Sequence, residues 1–422
     1  MQAIKNFKNA HQVLASFIPP AHTMRDQYTL NRMLVLMEKL GNPQEKYKTI
    51  HVAGTSGKTS TCYYIAALLG QTDRKIGLTV SPHIDEINER LQIDLTPLPE
   101  EIYCKKLSEF MELLNKLSIK PTYFELLIAF AYWQFAREKV KYAVVEVGLG
   151  GLLDGTNVIK RSDKVCAITD IGLDHTKVLG NDIERIAAQK AGIIQSGNEV
   201  FSYKQDNDIS QSLREATTNQ NANLHELDYS DHPEIASKLP LFQQRNWNLA
   251  EKTIEYVLKR DKLPLLTKPE LLKTTETYIP ARMEVIRKGN KTIILDGAHN
   301  PQKTNVLVES LRERFPNTKM SVLLGLLSDK DLPGVLREIT PIASNIVATS
   351  FRAEQDMPRG SITPEEIVTL AKKQGFENIE SLPAPKEAFN HLLMESEDII
   401  LIVGSFYLLN HIRPLVFSSK SA

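Results

Sequence analysis

The sequence is poor in the features that mark secreted, membrane-spanning and nucleic-acid-binding proteins. It has three cysteines, Cys62, Cys104 and Cys166, and their odd number and wide spacing argue against a disulfide framework. Lysine plus arginine total 51 and aspartate plus glutamate total 51, so no net charge favours nucleic acid or an anionic membrane. The apolar runs are too short to cross a bilayer, and the N-terminal residues lack the apolar centre of a signal peptide. We therefore expect a cytoplasmic protein that holds anionic ligands by local charge.

Short apolar runs rich in β-branched residues alternate with longer amphipathic segments along the chain. This alternation predicts parallel α/β sheets, and 422 residues exceed what one hydrophobic core normally supports. Strands are expected at residues 49–53, 76–80, 142–147, 165–169, 199–203, 292–295, 321–324, 345–349 and 399–403, and helices at 99–117, 122–137, 181–191, 246–258 and near 269–275.

The domain boundary is predicted near Thr277. Residues 205–240 are polar and weakly patterned, and we interpret them as the peripheral end of the first domain. After Thr277 an extended segment precedes a fresh series of strands and helices. The expected domains are therefore residues 1–277 and 278–422.

One segment combines a strand, a glycine-flanked turn and the start of a helix. The backbone N–H groups of such a turn and of a helix N-terminus bind phosphate, Lys58 adds charge, and Thr59 offers a hydroxyl to Mg²⁺. Val52 stands where the common phosphate-binding loop has its first glycine, so the loop is a compact variant. The predicted nucleotide-binding residues here are Gly54, Thr55, Ser56, Gly57, Lys58, Thr59 and Ser60.

Polar residues also lie at the carboxyl ends of three further strands, where open parallel sheets bind ligands. Ser81, Glu146 and His175 each occupy such a position. A carboxylate beside a phosphate loop suits Mg²⁺, and a neutral imidazole can bind a metal. Two of the three have plainer explanations, because Glu146 could cap a loop and His175 could be a solvated loop residue. Three such placements beside a phosphate loop nevertheless favour a shared site.

Two nearby features carry less weight. The run Gly148-Leu149-Gly150-Gly151 resembles a dinucleotide-binding motif only superficially, because no helical pattern follows it, and we reject that interpretation. Lys190 lies near the end of a predicted helix, where a lysine simply complements the helix dipole.

The second series of strands repeats the pattern of polar residues at strand ends. Asp296 and His299 follow the predicted strand 292–295, and Asn300 before Pro301 suits a helix N-cap. Asp296 and His299 have no such structural explanation. Gly404 and Ser405 follow strand 399–403 and could form a second anion-binding turn.

Taken together, these motifs resemble the folylpolyglutamate synthase/dihydrofolate synthase branch of the Mur ligases, which are ATP-dependent amide-forming enzymes. The similarity runs from about Thr29 to the C-terminus. Its blocks are Leu40-Gly41-Asn42-Pro43-Gln44, Gly54–Ser60, Ser81-Pro82-His83, Thr122–Glu125, Glu146–Gly151, Leu153–Asn157, Leu173-Asp174-His175, Lys190–Ile193, Gln243–Asn246, Pro280-Ala281-Arg282, Asp296–Pro301, Ser328–Asp331 and Gly404-Ser405.

The resemblance implies a P-loop ATPase-type parallel-sheet domain followed by a smaller Rossmann-like α/β domain that carries glutamate ligation. It also implies ATP, two Mg²⁺ ions and a carbamylated Lys190 as ligands and modifications. The implied nucleotide contacts beyond the loop are Asn246, Arg282 and Asp296, across the interdomain cleft. The implied metal ligands are Thr59, Ser81, Glu146, His175 and Lys190. The implied substrate-binding residues are Ser81, His83, Thr122, Tyr123, Phe124, Glu125, Leu153, Asp154 and Gly155. The implied catalytic residues are Lys58, Glu146, His175, Lys190, His299 and Ser405.

The chain departs from the usual pattern of this branch at a few positions. Thr59 is more typical of cell-wall Mur ligases, and Gly155, Ala281 and Phe242 replace other common residues. Two alternatives therefore stay open: a cell-wall Mur ligase acting on a UDP-linked acid, and a non-catalytic ATP-binding protein. The first is disfavoured because residues 1–45 lack the pattern of a UDP-binding domain. The expected partners are small molecules, namely a folate or pteroate, L-glutamate and ATP, and the expected state is a monomer.

Overall fold

The chain forms two compact units in a computed structural model that describes residues 4–19, 29–173, 179–180, 182–228, 232–353, 359–394 and 397–417. The first unit comprises Met1–Leu239 and Gln243–Thr277, and the second comprises Pro240–Phe242 and Tyr278–Ala422. In the described ranges, no helix combines the length and apolar character needed to cross a bilayer. The functions assigned to residues 1–277 and 278–422 stay predictions.

An eight-stranded sheet forms the centre of the first unit. Its strands lie in the order β4-β3-β2-β5-β1-β6-β7-β8; β1, β2, β5, β6, β7 and β8 are parallel, and β3 and β4 pair antiparallel at one edge. The strands are β1 Lys48–Ala53, β2 Ile76–Thr79, β3 Gln92–Ile93, β4 Thr96–Pro97, β5 Tyr142–Glu146, β6 Val165–Ile168, β7 Glu199–Tyr203 and β8 Asn223–Leu227.

Helices of the first unit pack on this sheet in two core clusters. One cluster joins α1, α2, α4 and α5 to β5, and another joins α6 and α7 to β6 and β7. The helices are α1 Phe7–Ala15, α2 Asn31–Lys39, α3 Lys58–Leu69, α4 Glu100–Lys116, α5 Tyr123–Arg137, α6 Ile183–Ala191, α7 Asn207–Asn219, α8 Pro233–Ala236, α9 Leu241–Arg260 (in this unit from Gln243 onward) and α10 Lys268–Thr274. Short 3₁₀ turns lie at Pro43–Glu45 and Ile87–Arg90.

The central strands are continuous apolar runs because both of their faces are covered. All five residues of β5 and all four of β6 are buried, and both strands were predicted. Residues 205–240 also contain regular structure, namely α7, the edge strand β8 and α8, which the weak polar pattern did not reveal. No residue of β8 is fully buried, so its sequence lacks a strong strand pattern.

The second unit is built on a six-stranded sheet in the order β15-β12-β11-β16-β10-β9, parallel except for β9 at one edge. Its strands are β9 Glu284–Lys288, β10 Lys291–Asp296, β11 Met320–Leu324, β12 Ala343–Ala348, β15 Ile379–Ser381 and β16 Ile399–Val403, with a separate pair β13 Arg352–Ala353 and β14 Arg359–Gly360. Its helices are α11 Pro301–Arg314, α12 Leu332–Ile339, α13 Pro364–Lys373, α14 Pro385–Leu393 and α15 Phe406–Phe417. The predicted order, a parallel-sheet domain followed by a smaller α/β domain, is confirmed.

Candidate active site

The predicted phosphate loop joins β1 to α3 at the carboxyl end of the sheet. Gly57 is the residue before α3 and has a positive φ of 86°, a conformation that side chains with a Cβ rarely adopt. A Cβ on Gly57 would also lie 2.2 Å from Oδ1 of Asn246, in α9. Glycine therefore allows the Asn246 amide to lie against the loop, which brings two predicted nucleotide-binding positions together.

The loop is hydrogen-bonded to the segment that follows β6. The backbone N–H groups of Thr55 and Ser56 both donate to the carbonyl oxygen of Asp170, at 2.8 and 3.1 Å. The Thr55 hydroxyl donates to the carbonyl oxygen of Gly172 at 2.9 Å. The amides of Thr55 and Ser56 thus hold the loop in place, and the first turn of α3 supplies the N–H groups that suit a phosphate.

Asp170 is itself held by an arginine that the sequence pattern does not indicate. The Nε atom of Arg245 lies 2.9 and 3.0 Å from the two carboxylate oxygens of Asp170, and its guanidinium lies 4.0 Å from the centre of the Tyr203 ring. An arginine whose guanidinium both donates hydrogen bonds to a carboxylate and stacks on an aromatic ring has little freedom to move. The position of Asp170, directly after a strand, was the signal available in the sequence.

Two lysines meet at one carbonyl oxygen of the loop. The ammonium groups of Lys58 and Lys190 donate to the carbonyl oxygen of Gly54 at 3.1 and 2.9 Å. Lys190 lies in the last turn of α6 and is only 4% exposed to solvent. Helix-dipole complementation alone would leave a lysine at the surface, so its burial beside the loop favours the functional interpretation.

The carboxylate predicted to assist Mg²⁺ is in place beside the loop. Glu146 ends β5 with 3% exposure, and its two oxygens accept from the Thr59 hydroxyl at 2.8 Å and from the Ser81 backbone N–H at 3.0 Å. A carboxylate and a hydroxyl at this separation fit a Mg²⁺ ion that keeps water or phosphate as its other ligands. Within the described ranges, no three His, Cys, Asp or Glu side chains are grouped to hold a metal. His175 lies outside the described residues.

Asp154 fixes the glycine-rich segment after β5. Its buried carboxylate accepts from the backbone N–H groups of Leu149 and Thr156, at 2.8 and 2.9 Å, and from the Thr156 hydroxyl at 2.5 Å. Nε2 of the buried His51 lies 2.9 Å from the same hydroxyl. Burial raises the pKa of Asp154, and these hydrogen bonds oppose the shift. Asp154 therefore has a structural role beside any contact with substrate.

The remaining predicted substrate residues of this unit lie close to that segment. A Cβ on Gly148 would lie 2.5 Å from the ring of Phe124, and one on Gly155 would lie 3.4 Å from Cγ of Glu125. The Leu153 side chain is partly exposed on the same segment. The structure thus brings the segments 122–125 and 153–155 together, as a shared substrate site requires.

Several of these residues also have structural partners. Thr122 and Glu125 form a capping box at the start of α5, and Glu125 accepts two hydrogen bonds from Arg32. Tyr123 lies under the Arg90 guanidinium, 5.5 Å from it. Nδ1 of the buried His83 accepts from Nε of Arg90 at 2.9 Å, and burial lowers the pKa of His83.

The predicted nucleotide residues of the second unit form their own cluster. The buried Asp296 carboxylate accepts from the backbone N–H groups of Met283 and Ala298, both at 2.7 Å. Burial raises the pKa of Asp296, and the nearby charges of Arg282 and Lys303 oppose that shift. The Arg282 guanidinium lies 4.2 Å from the centre of the Phe406 ring.

His299 and Ser405, the predicted residues of the reaction centre, flank this cluster. Nδ1 of His299 lies 2.8 Å from the carbonyl oxygen of Gly297, and the His299 ring meets the edge of the Phe406 ring. The Ser405 hydroxyl accepts from the backbone N–H of Tyr407 at 3.1 Å, so it caps α15. Asn300 caps α11 with Pro301 in its first turn, as predicted.

Known proteins resemble the chain over nearly its whole length. Residues 52–258 match the Mur ligase middle domain, and residues 281–406 match the Mur ligase glutamate ligase domain. The dihydrofolate synthase/folylpolyglutamate synthase of Bacillus subtilis is 30% identical over 414 residues, which cover 91% of this chain and 94% of that protein. The dihydrofolate synthetase of Saccharomyces cerevisiae is 32% identical over 410 residues, covering 90% and 95%.

A solved structure agrees with these relatives. The folylpolyglutamate synthase of Mycobacterium tuberculosis, complexed with ADP, superimposes with a TM-score of 0.85 at 26% identity. The match covers 98% of this chain and 99% of that one.

Proposed function

The chain belongs to the folylpolyglutamate synthase/dihydrofolate synthase family of Mur ligases, and we propose that it uses ATP to join L-glutamate to the carboxylate of a folate-type acid. The observation that carries this proposal for the chain itself is the convergence of Lys58, Lys190 and the Thr59–Glu146 pair on the loop after β1. Such a grouping suits a nucleoside triphosphate whose terminal phosphate is transferred.

The chemistry follows from the weakness of a carboxylate as an acyl donor. A carboxylate oxygen of the acid attacks the γ-phosphorus of ATP, the bond to the β–γ bridging oxygen breaks, and ADP leaves. The product is an acyl phosphate. The amine of glutamate then attacks the acyl carbon, loses a proton and expels inorganic phosphate, which leaves an amide. Lys58 and the N–H groups of α3 are placed to offset negative charge during the first step.

Thr59 and Glu146 are the residues proposed to hold Mg²⁺ in the first unit. When bound, the ion neutralises phosphate charge and aligns the phosphate for transfer. The Glu146 carboxylate also keeps the Thr59 hydroxyl oriented, because that hydroxyl donates to it. Ser81 and His175 stay predictions as further ligands.

Lys190 is proposed to act as a carbamate. Its unprotonated amine would add to the carbon of CO₂ and release a proton, which replaces a cation by an anion next to the loop. The short distance between Lys190 and the Gly54 carbonyl, which Lys58 also contacts, supports this, because two ammonium groups repel each other there. Loss of one positive charge relieves that repulsion.

The acid is proposed to be both dihydropteroate and a folate, which makes the enzyme bifunctional. The support is the pairing of segments 122–125 and 153–155 in the first unit, together with a relative whose name contains both activities. The partly exposed ring of Phe124 lies against Gly148, in the segment that the Asp154 carboxylate fixes, and it is the apolar group proposed to meet the pterin ring. Nothing in residues 4–19 or 29–45 forms a strand, so the described part of the N-terminal region gives no support to a UDP-binding domain.

Phosphate release tests the proposal. ATP, L-glutamate and Mg²⁺ would be combined separately with dihydropteroate, tetrahydrofolate and a UDP-muramoyl peptide acid. We expect release with the first two acids, and hydroxylamine in place of glutamate should trap a hydroxamate. Stimulation by the UDP-linked acid alone would establish the cell-wall alternative. Absence of release with every acid would favour the non-catalytic alternative.

A further inference from the structure

Two residues that flank Arg282 adopt a backbone conformation that glycine ordinarily occupies. Ala281 has a φ of 56° and Met283 has a φ of 47°, and both residues are buried. A residue with a Cβ is strained in this left-handed region. Such strain persists only where the surrounding structure imposes it, and it is concentrated at ligand-binding sites. Two strained residues on either side of a predicted nucleotide contact therefore require an explanation.

Buried carboxylates bond to the backbone of both strained residues. The backbone N–H of Met283 donates to Oδ2 of Asp296 at 2.7 Å. The backbone N–H of Ala281 donates to Oε2 of Glu284 at 2.9 Å, and its carbonyl oxygen accepts from the backbone N–H of Gly297 at 3.1 Å. Asp296 is already a predicted nucleotide contact, whereas Glu284 is not among the predicted residues. Its bond to Ala281 indicates a role for Glu284 as well.

Glu284 is itself held by two side chains of the second unit. Its carboxylate accepts from the Tyr278 hydroxyl and from the Arg413 guanidinium, and Arg413 also donates to the Tyr278 hydroxyl oxygen at 3.0 Å. Burial, together with the hydrogen bond to Glu284, raises the pKa of Tyr278 to about 12, so the hydroxyl keeps the proton that it donates. A carboxylate in a network of this kind has little freedom to rotate.

The side chain of Arg282 depends on the backbone of the strained segment. Its Nη1 donates to the carbonyl oxygen of Ala281 at 3.2 Å, and its guanidinium lies 4.2 Å from the centre of the Phe406 ring. A return of Ala281 to a negative φ would redirect both its own carbonyl group and the residue that follows. The guanidinium therefore keeps this position only while Ala281 stays in the left-handed conformation.

We propose that Glu284 is a positioning residue for Arg282, because it holds Ala281 in the strained conformation. Tyr278 and Arg413 keep the Glu284 carboxylate in place. This inference rests on the proposed function, because Arg282 is expected to contact ATP. Arg282 then meets the nucleotide already oriented, and the hydrogen bonds that form on folding compensate the strain.

Binding of an ATP analogue to Glu284→Gln tests this assignment. The analogue has a methylene group between its β- and γ-phosphates, and calorimetric titration in the presence of Mg²⁺ gives its Kd. We expect Glu284→Gln to raise the Kd about tenfold, because release of the strain moves the guanidinium. A residue that only stabilised the fold would lower the number of binding sites and leave the Kd of the folded protein unchanged. An unchanged Kd would therefore overturn the proposal.

A double-mutant cycle shows whether Glu284 acts through Arg282. Arg282→Met should raise the Kd by at least as much as Glu284→Gln does. When Glu284→Gln is added to Arg282→Met, the Kd should rise less than about twofold further, because the group that it positions is already absent. Full additivity of the two effects would contradict a positioning role.

Relief of the strain supplies a rescue. Glycine adopts a positive φ at little cost, so Ala281→Gly should recover part of the affinity that Glu284→Gln loses. Asn317→Gly is the matched control, since Asn317 has the same φ of 56° but is exposed and lies in the loop before β11. Equal recovery by Asn317→Gly would assign the effect to general stability and overturn the proposal.

Thermal melts check that each variant folds. If Glu284→Gln does not fold, Tyr278→Phe takes its place, because it removes one donor to Glu284 and leaves the carboxylate paired with Arg413. Its Kd should rise about two- to threefold, and an unchanged value would count against the proposal. Failure of the proposed function is a separate outcome, namely a wild type that binds the analogue but releases no phosphate with any acid.

Discussion

Lys58 and Lys190, which are 132 positions apart in the sequence, donate to the same carbonyl oxygen of Gly54. One lysine comes from the first turn of α3 and the other from the last turn of α6. The ammonium groups of both lysines therefore lie beside the loop, at its Gly54 carbonyl oxygen. The two lysines are expected to respond differently to substitution, because only Lys58 is proposed to meet phosphate as a cation.

Lys58→Ala is expected to lower kcat by at least about 100-fold, the usual effect of removing a donor to transition-state charge. The melting temperature should change little, because the Lys58 side chain is only partly buried. The rate of phosphate release at saturating substrates measures the fall in kcat. Lys75→Ala is the control, since Lys75 is an exposed lysine paired with Glu138. Retention of near-normal turnover by Lys58→Ala would exclude its phosphate role.

Lys190 should carry a carbamate in the active enzyme. With ¹³C-labelled CO₂, we expect a carbamate carbon signal in the wild type and none in Lys190→Arg, which cannot form the adduct. Removal of dissolved CO₂ and bicarbonate should lower wild-type activity, and their return should restore it. A fully active enzyme without any such signal would contradict the modification.

Gly57→Ala should impair nucleotide binding more than folding. A Cβ there would approach Oδ1 of Asn246 to 2.2 Å, and a non-glycine residue at a φ of 86° costs about 1–2 kcal/mol. Displacement of the Asn246 amide should raise the KM for ATP. Steady-state kinetics and a urea titration measure the two effects. Gly375→Ala is the control, because Gly375 has a similar φ of 88° and open space around it.

The free energy of unfolding should depend on pH through Glu251 in α9. Burial, with the nearby charge of Glu255 as a second cause, raises the pKa of Glu251 to about 7. The folded state thus favours the protonated form. The stability that this pKa shift contributes is fully present below the unfolded pKa near 4.3. It is lost as the pH rises through the folded pKa of about 7.

Glu251→Gln should remove this loss. Relative to the wild type, the variant should gain on the order of 3 kcal/mol in unfolding free energy between pH 5 and pH 8. Urea unfolding at the two pH values measures it. His232→Gln is the control, because Nε2 of His232 lies 4.0 Å from the Glu251 carboxylate. A pH-independent difference between wild type and Glu251→Gln would refute the prediction.

A buried ion pair should stabilise the second unit. Arg413 and Glu284 are each about 4% exposed and bond to each other, and Glu284 also accepts from the backbone N–H of Ala281. Arg413→Met would leave Glu284 buried without that partner and should cost about 3–5 kcal/mol. Chemical denaturation measures this. The double variant Arg413→Met with Glu284→Gln should recover part of the loss, and no recovery would argue against the pair.

The sequence pattern predicts the central strands of the protein better than it predicts the contacts between distant segments. The central strands β1, β5 and β6 were identifiable because burial on both faces requires apolar runs, whereas the exposed strand β8 left no such pattern. Glu146 was identifiable by its position at a strand end. The partnership of Arg245 with Asp170 was not, because it joins residues 75 positions apart.

Residues with two roles were also beyond the sequence pattern. The family resemblance indicates Asp154, but its three hydrogen bonds within residues 149–156 depend on how that segment folds. The contact of Lys303 with His299 also depends on the fold, because the cap at Asn300 and the first turn of α11 bring the two side chains together.

The anchoring of Thr55 and Ser56 to the Asp170 carbonyl has a thermodynamic consequence. The loop is shaped by bonds that form when the protein folds, so a nucleotide meets a preorganised cradle and does not have to order the backbone. Its binding should therefore carry a small entropic penalty from the chain. Weakening the anchor, for instance at Arg245, would shift that penalty from folding to binding and make nucleotide affinity depend on how rigid the empty loop remains.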